Sequence, residues 1–397
     1  MEPWLGAALG YIKDWLAFQV AVSEQPGCII AIAHRGEIVL EAAFGHANLD
    51  SGERLTPRHR FRIASHTKAF TAAGIMRLRE QKRLKLDDAV GQYVKDLHPE
   101  VAAATINQLL SHTAGLIRDG KDSGQFTDGR AYLDRDELLA ELKLPPAIDP
   151  NSRFKYSNHG YGLLGLVIEA ITGEPYPTWL QREIIETLGL RETAPDMTLL
   201  GKSVPFARGH SRTVPVGRRV VIPGDNPTNA IMAAAGVVAT AADTARFFAQ
   251  LAPNAKKSLL SVASRREMIR RQWRVPQDIE EAYYGLALMS GTTAGFDWFG
   301  HGGGFQGYIS RTSVIPAREI TITVLTNALD GWAPGWANGV KFILQAFATH
   351  GAPSRKTRDW TGRWWTLWGA VDLVPFAAQV MVANPAFINP FIDAARI

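Results

Sequence analysis

Cysteine is almost missing. Cys28 is the single one in 397 residues, which excludes an internal disulfide framework and any multi-thiolate metal site. Histidines are sparse as well: the ten never fall closer than seven positions apart, and no H-E-x-x-H occurs, so the paired spacing of a helix-borne zinc site is absent and no metal or other cofactor is expected. No stretch approaches the roughly 18 uninterrupted apolar residues a membrane-spanning helix needs, and no membrane partner is expected. Nor is charge of one sign concentrated. The 43 Lys plus Arg against 38 Asp plus Glu leave +5, without a run of five or six basic residues, and a nucleic-acid partner is not expected.

What is present is core-forming residues. Apolar types make up 46% and charged types 20%, enough for a large core, and the length exceeds the usual single-core size, which predicts two or three lobes. Trp4, Ala8, Tyr11, Trp15 and Phe18 recur at helical spacing near the N-terminus. With Glu2 where a signal peptide needs basic charge, and Lys13 and Asp14 inside the apolar run, this reads as a packed amphipathic helix and a cytoplasmic chain.

Cys28–Ala33 and Glu37–Phe44 flank His34-Arg35-Gly36 and predict an antiparallel hairpin. Helical patterns then dominate from about Ser65 to Leu190, broken at Pro99, at Asp119–Gly129 and at Pro145–Pro150. Thr198–Asn229 is a long irregular stretch, too long for an ordinary connector, and is expected to wall a site. Ala239–Leu251 reads as a helix. Strands are expected at Tyr284–Met289, Tyr308–Ile315 and Glu319–Thr326, and a last helix at Val340–Ala348. This order predicts an α+β fold: one antiparallel sheet from both chain ends, flanked by the terminal helices, beside an all-helical lobe. The implied division is 1–60 with 235–350 for the sheet lobe, 61–234 for the helical lobe, and a β-rich extension over 351–397. Trp360, Trp364, Trp365 and Trp368 fall in that extension, which is expected to dock on the main body through its aromatic residues.

Three elements carry chemistry. Ser65-His66-Thr67-Lys68 opens a segment, Ala69–Leu78, that is apolar almost all round. A helix of that kind is buried, and the i, i+3 spacing sets Ser65 and Lys68 on one face. Burial lowers a lysine's pKa and makes it a proton acceptor for the neighbouring hydroxyl. The same S-x-x-K pattern at Ser152–Lys155 sits in a turn with no helix to orient it. The second element, Tyr156-Ser157-Asn158, supplies a tyrosine able to relay a proton and an amide able to hold a substrate carbonyl. The third, His301-Gly302-Gly303-Gly304, precedes an expected strand; its glycines allow close backbone approach and could provide half an oxyanion hole. Taken singly, the first two fit an ordinary role better, a serine N-cap with an exposed lysine and a turn tyrosine with an asparagine cap, and the third fits a flexible hairpin connection about as well.

The order and intervals from Ser65 to Tyr156 to His301 resemble the serine β-lactamase and penicillin-binding protein superfamily, especially its class C-like branch of D-peptidases, family VIII esterases and acyltransferases. Thr105–Leu116 (TINQLLSHTAGL), Tyr156–Gly165 and Ala233–Phe248 are similar to that family's segments, so the resemblance covers about residues 25 to 350. It implies a β-lactamase/transpeptidase-like fold, with Ser65 acylated, Lys68 its activating amine and Tyr156 the general acid/base. Asn158, His301, Gly303 and Gly304 would meet substrate, and the oxyanion hole would be the backbone N–H groups of Ser65 and Gly304. One departure stands out: His301 occupies the place of a carboxylate-binding lysine, and histidine near its ordinary pKa is mostly neutral at pH 7. A small ester or amide is therefore expected as substrate rather than a β-lactam. Acyl transfer through the same intermediate, true β-lactamase or DD-peptidase activity, and a non-catalytic binding role are the alternatives. The oligomeric state is not legible.

Overall fold

A computed structural model describes the chain apart from Ser123, Asp128, Lys202, 214–216 and 277–280. Its centre is an antiparallel sheet of nine strands. In spatial order these are Glu53–Arg54, Glu37–Asn48, Gly27–His34, Ile320–Thr326, Tyr308–Ile315, Phe296–Phe305, Met289–Thr293, Ala282–Tyr284 and Trp273–Arg274. The N-terminal hairpin thus pairs directly with the last strand of the C-terminal set, Cys28 lying opposite Thr326, and the sheet is built from both chain ends.

Strand periodicity explains why the sheet is buried on both sides. Along Gly27–His34, Ile29, Ala31 and Ala33 join one apolar core, while Cys28, Ile30 and Ile32 join another. Successive side chains point to opposite faces, so a strand covered twice reads as a continuous apolar run. The first core continues into the helices Thr67–Glu80, Ile106–Leu110, Arg135–Leu142 and Asn158–Thr172. The second contains the N-terminal helix Pro3–Val22 and the helix Ala333–His350. These two lie so close that a Cβ on Gly339 would stand 2.2 Å from the Trp15 ring. The buried face of Pro3–Val22 is wider than the stripe read from sequence, since Leu5, Leu9, Ile12 and Leu16 are buried with Ala8 and Trp15.

Three expectations change. The run Tyr284–Met289 is not one strand. Pairing stops at Tyr284 and resumes at Met289, because Ala287 takes a left-handed conformation (φ +59°) that turns the chain and sends Leu286, Ala287 and Leu288 into the helical core. Phe296–Phe305 is a ten-residue strand, although its glycines suggested a connection. The tail does form a four-stranded sheet, Gly362–Thr366, Gly369–Pro375, Val380–Ala383 and Ala395–Arg396, but among the described residues only Trp365 of its tryptophans makes a ring contact with the main body, against Phe18 at 6.0 Å. Val374, Phe376, Met381 and Ala383 enter the second core, and Trp15 and Gln19 bond the carbonyls of Phe387 and Pro385. Thr198–Asn229 is largely irregular among its described residues, with a two-stranded pair at Gly209–His210 and Val221–Ile222.

Candidate active site

Ser65 lies in a short turn, Ala64–His66, that feeds the helix Thr67–Glu80. Ala64 is held at φ +50°, a conformation that disfavours any residue with a Cβ. Thr67 pins it: its hydroxyl donates to the Ala64 carbonyl at 2.6 Å and accepts from the Val237 N–H at 3.0 Å. The helix behind is buried from Thr67 to Met76, so Lys68 starts inside the protein and stays there.

The Lys68 amine has three neighbours: Asn158 Oδ1 at 2.7 Å, the Ala234 carbonyl at 3.0 Å and Ser65 Oγ at 3.2 Å. The first two only accept, so they consume two N–H bonds. The third direction, toward Ser65, carries either a third proton or the lone pair. Burial drives the pKa well below the usual lysine range; Asp119 opposes this and Arg118 reinforces it. With that proton absent, the amine lone pair would face the serine hydroxyl, an arrangement compatible with general-base catalysis.

Tyr156 approaches from the other side, its hydroxyl donating to Ser65 Oγ at 2.7 Å. Burial pushes its phenol above the usual value, partly offset by the bond to Ser65, so at neutral pH it holds a proton it can give. Its ring rests on His112 (centroids 4.1 Å apart) and lies 4.7 Å from the Lys68 amine. His112 is itself fixed: its Nδ1 accepts from the Ser157 N–H at 3.1 Å and its carbonyl from the Lys155 N–H at 2.8 Å. Burial drives the His112 pKa well down, leaving a neutral ring under the tyrosine.

Asn158 begins the helix Asn158–Thr172, capped by Ser157, whose hydroxyl accepts from the Gly160 N–H. Both ends of its amide are engaged, Oδ1 by Lys68 and Nδ2 by Asp119. Asp119 in turn pairs with the exposed Arg118 at 3.0 Å, whose guanidinium carbon lies 5.2 Å from the Tyr156 ring centre. Neither residue was singled out from sequence; they fall where the helical pattern breaks, and only their place before the tyrosine motif's partners in space marks them.

Gly303 and Gly304 close the site. The turn Gln306-Gly307 joins Phe305 to its partner Tyr308, so that pair exchanges hydrogen bonds and the next, Gly304 with Ile309, does not. The Gly304 N–H therefore points away from Tyr308–Ile315. On that side the neighbouring strand reaches only to Gly300, opposite Met289, so the amide lies beyond the end of that ladder. Gly303 is pressed on the nucleophile turn: an added Cβ would sit 2.4 Å from the Ile63 carbonyl and 3.1 Å from His66 Nδ1.

His301 is placed differently from a group that reaches outward. It is 3% exposed; its Nδ1–H donates to the Gly302 carbonyl at 2.6 Å and its Nε2 accepts from the Tyr284 hydroxyl at 3.0 Å. Burial and the neighbouring His66 drive its pKa well below the ordinary histidine value. Ser152 stands apart, exposed in a turn with its hydroxyl on the Asp149 carbonyl. The long stretch 198–229 returns to the site's foundation, where Arg62, fully buried, donates to the Gly224 carbonyl at 2.6 Å and also bonds the Asn226 carbonyl.

A family model described as Beta-lactamase matches residues 17–338. Among curated relatives, Protein flp of Staphylococcus aureus (strain COL) is 31% identical over 173 residues, 43% of this chain and 34% of that protein. Esterase EstB of Burkholderia gladioli is 28% identical over 262 residues, 55% of this chain and 64% of its own length. The matched part thus spans about a third of flp and under two thirds of EstB. Among solved structures, the octameric penicillin-binding protein homologue from Pyrococcus abyssi superposes with a TM-score of 0.75 at 25% identity, covering 98% of this chain and 89% of that one.

Proposed function

The chain belongs to the beta-lactamase family, and from that premise we propose that it is a metal-independent serine hydrolase cleaving a small ester or amide through an acyl-Ser65 intermediate. The observation that carries this reading is the pair of contacts at Ser65 Oγ: the Tyr156 hydroxyl at 2.7 Å and the buried Lys68 amine at 3.2 Å.

Lys68 takes the Ser65 proton as Oγ attacks the substrate carbonyl carbon. The Ser65 and Gly304 N–H groups face the oxygen on which negative charge develops; Ser65 lies in the turn just before the helix Thr67–Glu80, where its amide has no intrahelical acceptor. Tyr156 donates its proton to the departing alcohol or amine and is resupplied from the Lys68 ammonium, which carries the proton taken from Ser65. Water then attacks the acyl-enzyme by the reverse path, releasing acid and free Ser65. Asn158, held by Asp119, orients the amine through its Oδ1. The likeness to an esterase supports an ester as the first substrate to try. His301, buried and neutral, supplies no charge to a β-lactam carboxylate, which favours an ester or amide over a penicillin.

The test is covalent labelling. A serine-directed phosphonate should add its mass once to the native chain and to Ser152→Ala, and not at all to Ser65→Ala. A panel of p-nitrophenyl esters, D-aminoacyl amides and a penicillin, followed by intact-mass spectrometry with turnover in parallel, then ranks the acyl groups. Labelling that survives loss of Ser65 would overturn the nucleophile.

A further inference from the structure

His112 takes part in no proton transfer of the proposed reaction, yet it grips the general acid from both sides and from beneath. Its main-chain carbonyl accepts from the Lys155 N–H at 2.8 Å, and its ring Nδ1 accepts from the Ser157 N–H at 3.1 Å. Those two amides flank Tyr156 in the chain. Between them the imidazole lies against the Tyr156 ring itself, centroids 4.1 Å apart and planes 34° from parallel. His112 is buried and sits at φ +60°, a sparsely populated conformation that persists only where the surroundings over-determine it.

We infer that His112 is the positioning residue of the general acid. It fixes where the Tyr156 phenol points, and so governs how well the enzyme serves leaving groups that must be protonated as they depart. This rests on the reading of Tyr156 as the proton donor.

The imidazole suits that task because its protonation state is fixed by its partners. With the Ser157 N–H bonded to Nδ1, the ring's single proton is on Nε2. A second proton would have to enter at Nδ1, where that amide already points. Burial and the neighbouring Lys68 oppose it as well. Nε2 has no hydrogen-bond partner among the described residues, so the far side of the ring is held by packing. Tyr284, Tyr161 and Phe154 stand around it at 5.0, 5.1 and 5.7 Å between centroids. The Tyr156 hydroxyl, 2.7 Å from Ser65 Oγ, therefore stands on a support of fixed place and charge. An error of about 1 Å at a reacting group costs on the order of 10²-fold in rate.

Two substitutions divide the grip. His112→Asn keeps an acceptor for the Ser157 N–H and tolerates the left-handed backbone but removes the ring; His112→Phe keeps a ring and leaves that N–H unpaired. The experiment compares kcat/KM for two esters of one acyl group. An ethyl ester expels an alkoxide that must be protonated, and a p-nitrophenyl ester expels a phenolate that needs little help. Rates are normalised to the Ser65 that a phosphonate labels, so unfolded chains do not count. Each His112 variant should lower the ethyl-ester value by about tenfold to 10²-fold and keep the p-nitrophenyl value within severalfold of native. Tyr156→Phe should show the same selective loss, and adding His112→Asn to it should cost the ethyl ester little more, because the group that His112 holds is already gone. Equal losses on the two esters, or a His112 effect undiminished beside Tyr156→Phe, would make His112 merely structural and overturn the inference. Selective loss in Tyr156→Phe with native-like His112 variants overturns the inference and leaves the acid standing. No selective loss in Tyr156→Phe removes the acid assignment and the inference with it.

Discussion

Two adjacent glycines offer a sharp test of how the catalytic strand is seated. In Gly303→Ala the new methyl would stand 2.4 Å from the Ile63 carbonyl, a backbone atom two residues before Ser65, and 2.4 Å from Ser310 Oγ. Real Cβ contacts essentially never fall below 3.0 Å, so strand and nucleophile turn must part by at least 0.6 Å, the difference of those two distances. The displaced groups are the ones that have to converge on a single substrate oxygen, the N–H of Ser65 and of Gly304. Loss of one oxyanion donor costs roughly 10²- to 10³-fold in kcat, and a misplacement of about 1 Å costs on the order of 10²-fold. Gly303→Ala should therefore lower kcat by about 10²-fold, with a stability loss of about 1–3 kcal/mol from overpacking. Gly304→Ala is the control. Its Cβ would point to the opposite face of the sheet, meet only Ile309 Cδ1 at 3.7 Å, and leave its N–H in place, so kcat should stay within severalfold of native. Ester turnover under saturating substrate reads the rates, and thermal unfolding reads the fold. If folded Gly303→Ala works like the native chain, or the two alanines are equally damaging, the strand does not build the oxyanion site in this way.

Two further predictions concern charge. Arg118 depresses the Lys68 pKa and Asp119 raises it; on the proposed mechanism Lys68 acts only when deprotonated, so activity should grow as pH rises through its pKa. Arg118→Gln should shift the acidic limb of the kcat/KM profile to higher pH and Asp119→Asn to lower pH; limbs that stay put, or shift the other way, would break the assignment of that limb to Lys68. His301→Lys should fail to improve acylation by a penicillin relative to a neutral ester, because the position lies inside the fold against Tyr284. It should instead destabilise by about 2 kcal/mol or more, an ammonium forced into a buried place without an anionic partner. Acidifying the native chain through the ordinary histidine range should leave that ratio unchanged, since burial holds the ring neutral; a ratio that rises with either change would show that substrate reaches this residue.

The meeting of Ser65, Lys68 and Tyr156 was legible because context, not pattern, selected it. Ser65–Lys68 and Ser152–Lys155 match the same pattern, but only the first precedes a segment apolar on every side, and only there is the lysine buried. What stayed hidden depends on contacts remote in the chain. Asp119 sits in a stretch rich in Gly and Asp that reads as a break; its role comes from meeting Asn158, 39 positions away. The strand Phe296–Phe305 escaped because glycine weakens strands, and the reason for its glycines, the carbonyl of Ile63 pressing on Gly303, lies in another part of the sequence altogether.

The tail shows a clue that was present and read the wrong way. Four tryptophans in a tenth of the chain suggested aromatic packing, but Trp364 and Trp365 are neighbours in a strand. Neighbours in a strand face opposite sides, so a sheet that docks through one face cannot bury both. Here the docking face is taken by Val374, Phe376, Met381 and Ala383, and Arg363, next to the pair, reaches back to Asp372 and the main-chain oxygen of Asp14. Composition could say that the tail is rich in aromatic residues; pleat alternation already required that some of them face outward, and the hairpin register then sets Leu367 and Trp368 at the tip, where nothing in the fold can cover them.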